Sequence, residues 1–469
     1  MTGHLSHDGP PDVRDLPPYA RLYSPEFHAD PEAAWQRLRE RGRVAWVEIE
    51  PGVPAILVLD YYLILSICRN ATGAWTRRTS TSRAWTEGWI RAGSETAAMI
   101  REWPNMLFAE GSEHERLRAP VVAALRTVDV RELQAYVEQS ALELIGRLLP
   151  QGRAELISEY AVVLPLIAMS WLFGLDEIER WRLPELMKRI WDADGADQAA
   201  YDLARIMDVT VRRHQQGLAH GPLTTALTRQ PGKLTHEEIV GTLVLMVGAG
   251  SQPAANLIAN TVAEILTNTQ LHLEVTSLAL PADDVVHHTL WARPPITHYP
   301  PLVAKNNVSI DRVFIPRGTL ALLGLGPAGH QIHQAHRSPY NRDYAALHNN
   351  RGYVAFGVGP HQCPARLHAL VIAQTAVTTL LAELRDLHLA DQLRWRPSPF
   401  ARALDRLDVE FTPRPFPTLR PEGTHPSWHP RTVGLSPSNP TSTAASRANS
   451  SRGGRWFRLP FRGTSRHGR

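Results

Sequence analysis

The sequence is poor in cysteine and in lysine. Two of its 469 residues are Cys, Cys68 and Cys363, and only three of its 50 basic residues are Lys. Two cysteines are too few for a disulfide framework or for a four-cysteine metal site. The excess of Arg over Lys is more typical of a GC-rich coding sequence than of a phosphate-binding design.

Apolar segments of the kind that enter a membrane are also missing. Residues 1–20 contain no apolar core and do not read as a secretory signal. The longest apolar run, 161–175, is about 15 residues long and includes Pro165, which makes it too short to span a bilayer. We therefore expect a cytoplasmic protein with reduced thiols and no transmembrane segment.

The positive charge is confined to one end of the chain. The net charge is +4, with a pI near 9.2, yet residues 430–469 carry eight Arg and no Asp, Glu or Lys. The remaining 42 basic and 46 acidic residues leave the rest of the chain at −4. A mildly acidic body gives no reason to expect a nucleic-acid partner.

Helical periodicity dominates, with short strand patterns near both ends. Helix patterns cover 133–149, 239–266 and 366–384, and strand patterns cover 44–49, 55–59 and 308–323. The longest helix begins with a capping-box pattern at Thr235 and Glu238 and is apolar on most faces, as a buried central helix should be. We predict a mainly α fold of the α+β class with small β-sheets.

Composition divides the chain into a loose arm at 1–20, a body at 21–412 and a basic Pro/Ser/Arg-rich tail at 413–469. The tail is expected to be disordered because it has too little apolar surface to offset its chain entropy. Within it, 455–462 places aromatic residues between arginines. This cluster is either an unstructured terminus or a docking peptide for an acidic partner or an anionic membrane surface.

The segment from Phe356 to Cys363, Phe-Gly-Val-Gly-Pro-His-Gln-Cys, lies directly before the helix predicted at 366–384. Glycines at 357 and 359 allow a tight loop to approach a flat ligand closely. A Cys near a helix N-terminus has its thiolate stabilised by the helix dipole and by free N–H groups. A phenylalanine beside the sulfur excludes water. These features suit an axial thiolate ligand to haem iron.

With this motif the sequence resembles the cytochrome P450 family of haem-thiolate monooxygenases, in its soluble bacterial form, over about residues 20–412. The resemblance implies a single helix-rich domain that binds haem b. It also implies that Cys363 ligates the iron, that His361 contacts a haem propionate, and that Phe356, Gly357 and Gly359 shape the loop around the cofactor.

A second match lies upstream, in Glu113-His-Glu-Arg-Leu-Arg118. His114 and Arg118 are four residues apart and therefore share one face of a helix. In the family this helix contacts the haem, so the resemblance implies that both side chains bind propionates.

The central helix departs from the family pattern. Where the family has an acid and a threonine that relay protons to dioxygen, this chain has Gln252 and Pro253. Glutamine is not an acid, and proline lacks both a hydroxyl and the N–H that the Ala249 carbonyl would accept, so a kink is expected here. Ser251 is a substitute hydroxyl if its rotation about the helix allows. The resemblance implies that Ala249 and Gly250 line the distal haem face.

Two further departures concern fixed positions of the family. Its Glu-x-x-Arg ion pair is replaced by His288 and Trp291, within one position of uncertainty, and an indole can pack in place of such a pair. At 297–301, where the family often has another propionate-binding Arg, there is none, which leaves His298 or Tyr299 to supply a hydrogen bond. Cys68 matches no family motif and is interpreted as a core residue.

The resemblance implies insertion of one oxygen atom from dioxygen into a small organic substrate, with electrons from a ferredoxin and its reductase. Two alternatives remain open. One is a haem-containing sensor or scaffold in a kinase and GTPase assembly, reached through the basic tail and suggested by a subgroup with similar departures. The other is oxidation driven by peroxide, which needs no proton relay to dioxygen.

Overall fold

The computed structural model describes residues 19–415, apart from 71, 104, 192–195, 231–232 and 336–349. Most of the predicted arm and tail, including the aromatic cluster at 455–462, therefore lies outside the described residues. Ordered contacts continue past residue 412, because the Arg414 N–H donates to the Leu149 carbonyl at 3.1 Å and its guanidinium to the Glu383 carbonyl at 2.8 Å.

The helices form the larger part of the fold. They are α1 (Pro25–Ala29), α2 (Pro31–Arg39), α3 (Tyr61–Arg69), α4 (Arg83–Thr86), α5 (Glu95–Ile100), α6 (Gly111–Arg126), α7 (Val130–Leu148), α8 (Val163–Phe173), α9 (Glu177–Trp191), α10 (Ala196–Gln215), α11 (Pro222–Thr228), α12 (His236–Thr267), α13 (Thr269–Thr276), α14 (Ala282–Ala292), α15 (Leu325–Ala335) and α16 (Arg366–Glu383). A π-helical turn, Ile157–Ala161, leads into α8, and 3₁₀ turns lie at Thr79–Thr81, Leu149–Gln151 and Gly359–His361.

The strands are short. They are β1 (Ala20–Arg21), β2 (Val44–Glu50), β3 (Val53–Val58), β4 (Trp75–Thr76), β5 (Arg153–Glu155), β6 (His298–Ala304), β7 (Val308–Ile310), β8 (Val313–Ile315), β9 (Leu320–Gly324), β10 (His388–Leu389), β11 (Arg394–Arg396), β12 (Ala403–Arg406) and β13 (Asp408–Glu410). A mixed six-stranded sheet has the order β1-β2-β3-β9-β6-β4, and β10-β13-β5, β11-β12 and β7-β8 form smaller sheets. The predicted mainly α fold with small sheets is confirmed.

The long helix α12 occupies the centre of the helical core. Its capping box at Thr235 and Glu238 is present, and the helix is assigned without interruption through Pro253. Its length and composition would suit a membrane span, but it packs among α8, α10, α14 and α16, and the residues from Ala254 to Ala263 are buried. Burial against other helices explains why this helix is apolar on most faces.

The six-stranded sheet is covered on both faces by apolar side chains. One cluster includes Trp35 and Phe400, and the other includes Ile64 of α3 and Trp75 of β4. Because side chains alternate between the two faces of a strand, neighbouring residues of β6 enter different surroundings. This alternation decides which of the first two residues of β6, His298 or Tyr299, reaches the Cys363 loop.

The segment that precedes the Cys363 loop is fixed to α14 by aromatic residues. Trp291 is 1% exposed, and its indole N–H donates to the Asn350 carbonyl at 2.9 Å. One turn earlier, the His287 ring contacts the Tyr353 hydroxyl at 3.0 Å, whereas His288 packs against the His333 ring of α15. Trp291 occupies the position of the Arg in the family's Glu-x-x-Arg ion pair. Its indole therefore holds this segment by a hydrogen bond instead of an ion pair.

His298, the first residue of β6, points to the face of the sheet opposite the Cys363 loop and is held there by two hydrogen bonds. The Trp35 indole N–H donates to its Nε2 at 3.1 Å, and its Nδ1–H donates to the Pro399 carbonyl at 2.8 Å. Both ring nitrogens are therefore engaged in the neutral tautomer. Burial lowers the pKa of His298 to about 4, since desolvation disfavours the imidazolium.

We expect His298 to make the protein less stable in mild acid. The unfolded chain takes up a proton on this ring below about pH 6.5, but the folded protein does so only below about pH 4, so stability is full above pH 6.5 and falls between these values. In that window His298→Gln should reduce the slope of unfolding free energy against pH by about 1.4 kcal/mol per pH unit. Urea titrations at several pH values measure the slope.

Trp35→Phe is the control, because it removes a hydrogen-bond donor to the same ring and keeps the titrating group. It should lower stability at every pH while retaining a pH-dependent loss. An equal slope in wild type and His298→Gln would contradict the role assigned to this ring.

Candidate active site

The Cys363 loop is a closed turn that ends three residues before α16. The Cys363 N–H donates to the Phe356 carbonyl at 2.8 Å, and the Gly357 N–H donates to the Val354 carbonyl at 2.8 Å. Gly357 and Gly359 have φ of +68° and +71°, a region that residues with a Cβ rarely adopt. The two glycines predicted to shape the loop are therefore required by its backbone.

Gly359 also permits a close approach between the loop and α3. A Cβ at this position would lie 2.9 Å from the carbonyl oxygen of Cys68. The Val358 N–H interacts with the Cys68 sulfur, whose pKa is raised by burial. Cys68 is half-buried in the apolar cluster beneath the loop, so it supports the loop that carries the other cysteine.

The thiol of Cys363 is surrounded by groups that favour its anion, although burial opposes them. Burial raises the pKa of Cys363, whereas the Ala365 N–H and the guanidinium groups of Arg118 and Arg366 lower it in part. A thiol of this kind loses its proton most readily when a metal cation takes the place of the proton. The guanidinium of Arg366 also lies 5.9 Å from the centre of the Phe356 ring.

The two histidines predicted to bind the cofactor are brought together. The His114 and His361 rings stack with their centres 3.9 Å apart, and His114 is 4% exposed. Burial and the charges of Arg77 and Arg118 lower the pKa of both rings, that of His361 to about 2. Two neutral imidazoles stack at this distance without the repulsion that two imidazolium ions would suffer.

Arg118 joins α6 to the Cys363 loop. Its Nη2 donates to the Gln362 carbonyl at 2.5 Å, one residue before the cysteine. Burial lowers the pKa of Arg118, and the neighbouring Cys363 raises it. His114, Arg118, His361 and Cys363, which lie up to 249 positions apart in the sequence, therefore form one cluster.

The structure adds Arg77 and Tyr299 to this cluster. The Arg77 guanidinium lies 5.9 Å from the centre of the Tyr299 ring. Burial raises the pKa of Tyr299, and the charge of Arg77 opposes that rise. Of the two candidates left open at 297–301, Tyr299 reaches the cluster, whereas His298 points to Trp35 on the other face of the sheet.

Arg77 was not predicted, because it belongs to no motif and its neighbours are distant in sequence. Its residue pattern, Trp75-Thr-Arg-Arg78, reads only as polar sequence after a two-residue strand. The available signal was indirect, namely a stretch at 297–301 with no cation where the resemblance implies one.

One stripe of the buried helix α12 is accessible. Gly248 and Ala249 are exposed and Gln252 and Pro253 are half-buried, whereas Val247, Ser251 and the residues from Ala254 to Ala263 are buried. Positions 248, 249 and 252 are three and four apart, so they share one face. Gly250 instead faces α8, since a Cβ there would lie 2.6 Å from the Met169 methyl group.

The side chains of Ser251 and Gln252 form hydrogen bonds within α12. Ser251 is 1% exposed, and its hydroxyl donates to the Val247 carbonyl at 2.6 Å. The Gln252 amide donates to the Asn256 side-chain oxygen at 2.8 Å. Ser251 therefore does not present a free hydroxyl on the accessible face, and Gln252 presents the remaining atoms of its amide there.

These residues fit a haem group. The Nε2 atom of His114 and the Nη1 atom of Arg77 are buried and have no hydrogen-bond partner among the described residues, as expected of groups that meet a carboxylate of a cofactor. The thiol of Cys363 supplies a soft axial ligand, and the two positive-φ glycines allow a flat ring to approach the loop.

Comparisons with known proteins agree with this site. A 2-hydroxy-5-methyl-1-naphthoate 7-hydroxylase from Streptomyces carzinostaticus is 28% identical over 395 residues, which cover 79% of this chain and 94% of the relative. The cytochrome P450 monooxygenase PikC from Streptomyces venezuelae is 28% identical over 406 residues, covering 82% and 92%. No family model matches the chain.

The fold has counterparts among solved structures. CYP154C4 from a Streptomyces species superimposes with a TM-score of 0.71 at 26% identity, covering 81% of this chain and 95% of that one. The ligand-free P450 monooxygenase TamI superimposes with a TM-score of 0.72 at 22% identity, covering 85% and 94%. The similarity therefore spans nearly the whole of both neighbours.

Proposed function

Because this chain belongs to the cytochrome P450 family and is a monooxygenase with haem b as its cofactor, we propose that it hydroxylates a small organic molecule in the cytoplasm. The electrons would come from a ferredoxin and its reductase. The observation that supports the proposal best is the Cys363 loop, where a half-buried thiol lies within a cluster of His114, Arg118 and His361.

When bound, the haem supplies thiolate-ligated iron, whose electron-rich ligand favours O–O cleavage. The protein supplies the ligand and the electrostatic surroundings. Cys363 is held by the bond from its N–H to the Phe356 carbonyl, and the Phe356 ring would shield the sulfur from water. Arg118 fixes the loop through the Gln362 carbonyl and would present a charge to a propionate. The neutral rings of His114 and His361 would contribute N–H donors.

The accessible stripe of α12 shapes the other side of the site. Gly248 and Ala249 offer no bulky side chain, which leaves room for a flat ring and for a substrate. Gln252 is oriented by Asn256, so its amide can hold a water molecule by hydrogen bonds but cannot release a proton near neutral pH. Protons would have to arrive through water.

This distal chemistry favours one second candidate, oxidation driven by peroxide. Gln252 and Pro253 are not acids, and the Ser251 hydroxyl is bonded to the Val247 carbonyl. Hydrogen peroxide already carries the two electrons that the ferredoxin would supply and the two protons that a relay would deliver, so it avoids this deficiency. The sensor or scaffold alternative depends on tail residues outside the described part of the chain, and it stays a prediction.

The first test concerns the axial ligand. The reduced protein should show the red-shifted carbon-monoxide band of thiolate-ligated haem, and Cys363→His should lose that band while retaining part of the haem. A difference spectrum measures both. Cys68→Ser is the matched control and should keep the band, since Cys68 supports the loop from α3. A band that survives in Cys363→His would exclude Cys363 as the ligand.

The second test concerns the distal hydroxyl. Ser251→Ala should leave the rate of product formation within about twofold of wild type, because the hydroxyl that it removes already bonds Val247. Gln252→Leu, altered on the accessible face, should lose more activity and waste more reducing equivalents. Product and NAD(P)H consumption are measured together. A tenfold loss in Ser251→Ala would instead make Ser251 part of the proton path.

The third test separates the two sources of oxidant. Product is measured over a panel of small organic substrates, once with a ferredoxin, its reductase and NAD(P)H, and once with hydrogen peroxide alone. Under the leading proposal the reductase route is the faster one. Turnover with peroxide alone would support the second candidate, and no product by either route would contradict both.

A further inference from the structure

Arg77 carries a buried charge that no described residue neutralises. The side chain is 7% exposed, its Nη1 atom has no partner, and it makes no ion pair with any carboxylate in the described part of the chain. The Glu110 carboxylate accepts from the backbone N–H of Arg77, at 2.7 Å. A buried guanidinium without a counter-charge is unfavourable, so an anion is expected beside it.

The position of Arg77 is set by the edge of the six-stranded sheet. It directly follows β4, in which Thr76 pairs with Val303 of β6. The Asn70 side chain holds this edge by bonding both the N–H and the carbonyl of Trp75, at 3.2 and 2.9 Å. β6 contains no Arg or Lys in its sequence HYPPLVA. Arg77 therefore brings to β6 a cation that the strand itself lacks.

The groups around Arg77 form a cluster suited to a carboxylate. Its guanidinium lies 5.9 Å from the centre of the Tyr299 ring. Its charge also helps to lower the pKa of His114 and His361, whose rings stack 3.9 Å apart. The buried Nε2 atom of His114 also lacks a hydrogen-bond partner among the residues that the structure describes. Arg77, which follows β4, and His114 of α6 thus each contribute one buried nitrogen that could donate a hydrogen bond to a carboxylate.

We propose that Arg77 binds a haem propionate and takes the place of the arginine that the sequence lacks at 297–301. The inference rests on haem binding at Cys363 and adds a residue that belongs to none of the motifs of the sequence. The Tyr299 ring lies beside the guanidinium, and His114, Arg118 and His361 are the other side chains that would surround the propionates. An arginine is well suited to this task because its planar fork matches a carboxylate.

The experiment compares Arg77→Gln with Arg78→Gln, a neighbour that is exposed. Transfer of haem from each protein to apomyoglobin measures the rate of haem loss. Arg77→Gln should lose haem on the order of tenfold to hundredfold faster than wild type, the factor expected for a charge-assisted hydrogen bond. Arg78→Gln should match wild type. Equal rates in all three proteins would overturn the proposal.

A second measurement separates a propionate contact from a merely structural role. Wild type reconstituted with haem dimethyl ester should lose the cofactor faster than with free-acid haem, since the ester carries no carboxylate. Arg77→Gln should show a smaller difference between the two haems. If it discriminates between them as strongly as wild type, Arg77 does not bind a propionate. Arg77→Lys, which keeps the charge but not the fork, should fall between the two and serves if the glutamine variant does not fold.

The haem-free proteins give a third readout with the opposite sign. Without haem, Arg77→Gln should resist urea at least as well as wild type, because it removes an uncompensated buried charge. Destabilisation of the haem-free variant would indicate a structural role. Absence of the thiolate carbon-monoxide band in wild type would instead contradict the proposed function, and the two failures are thereby distinguished.

Discussion

The constraint on which the site depends is the burial of imidazole and guanidinium groups beside a single thiol. Each of these groups would be better solvated in water, and the stacked rings of His114 and His361 avoid mutual repulsion only by remaining neutral. Such a cluster persists in a folded protein when the surrounding structure fixes it and a ligand supplies the missing charge. The haem supplies an iron cation for the thiol and two carboxylates for the guanidinium and imidazole groups.

The fold provides that fixation from three directions. Gly359 lies against the end of α3, Arg118 of α6 bonds the Gln362 carbonyl, and Trp291 of α14 bonds the Asn350 carbonyl upstream of the loop. Two of these contacts are hydrogen bonds to backbone carbonyls, which position a loop without requiring a particular side chain in it. This explains how an indole can serve where the resemblance implies an ion pair, since either group can donate to the same segment.

Features formed by residues close together in the chain could be predicted from the sequence, whereas those that depend on pairing between distant strands could not. The Cys363 loop, the capped helix α12 and the shared face of His114 and Arg118 follow from spacing alone, and the structure has all three. Arg77 could not be found in this way, because its role depends on the pairing of β4 with β6. The choice between His298 and Tyr299 also required the strand, since adjacent residues point to opposite faces of a sheet.

The Cys363 loop and the accessible stripe of α12, which the proposed function assigns to opposite sides of the haem, differ in the kind of group that the chain supplies. The loop side collects cations and imidazoles, whereas the accessible stripe of α12 offers small residues and one amide. Sequence alone shows that Gln252 and Pro253 cannot donate protons, but the rotation of Ser251 is decided by the helix, which turns its hydroxyl to the Val247 carbonyl. Cofactor retention is therefore built into the side chains, while proton delivery must rely on solvent. Under the proposed function, we therefore expect turnover with dioxygen to be limited by the supply of protons rather than by the iron ligand.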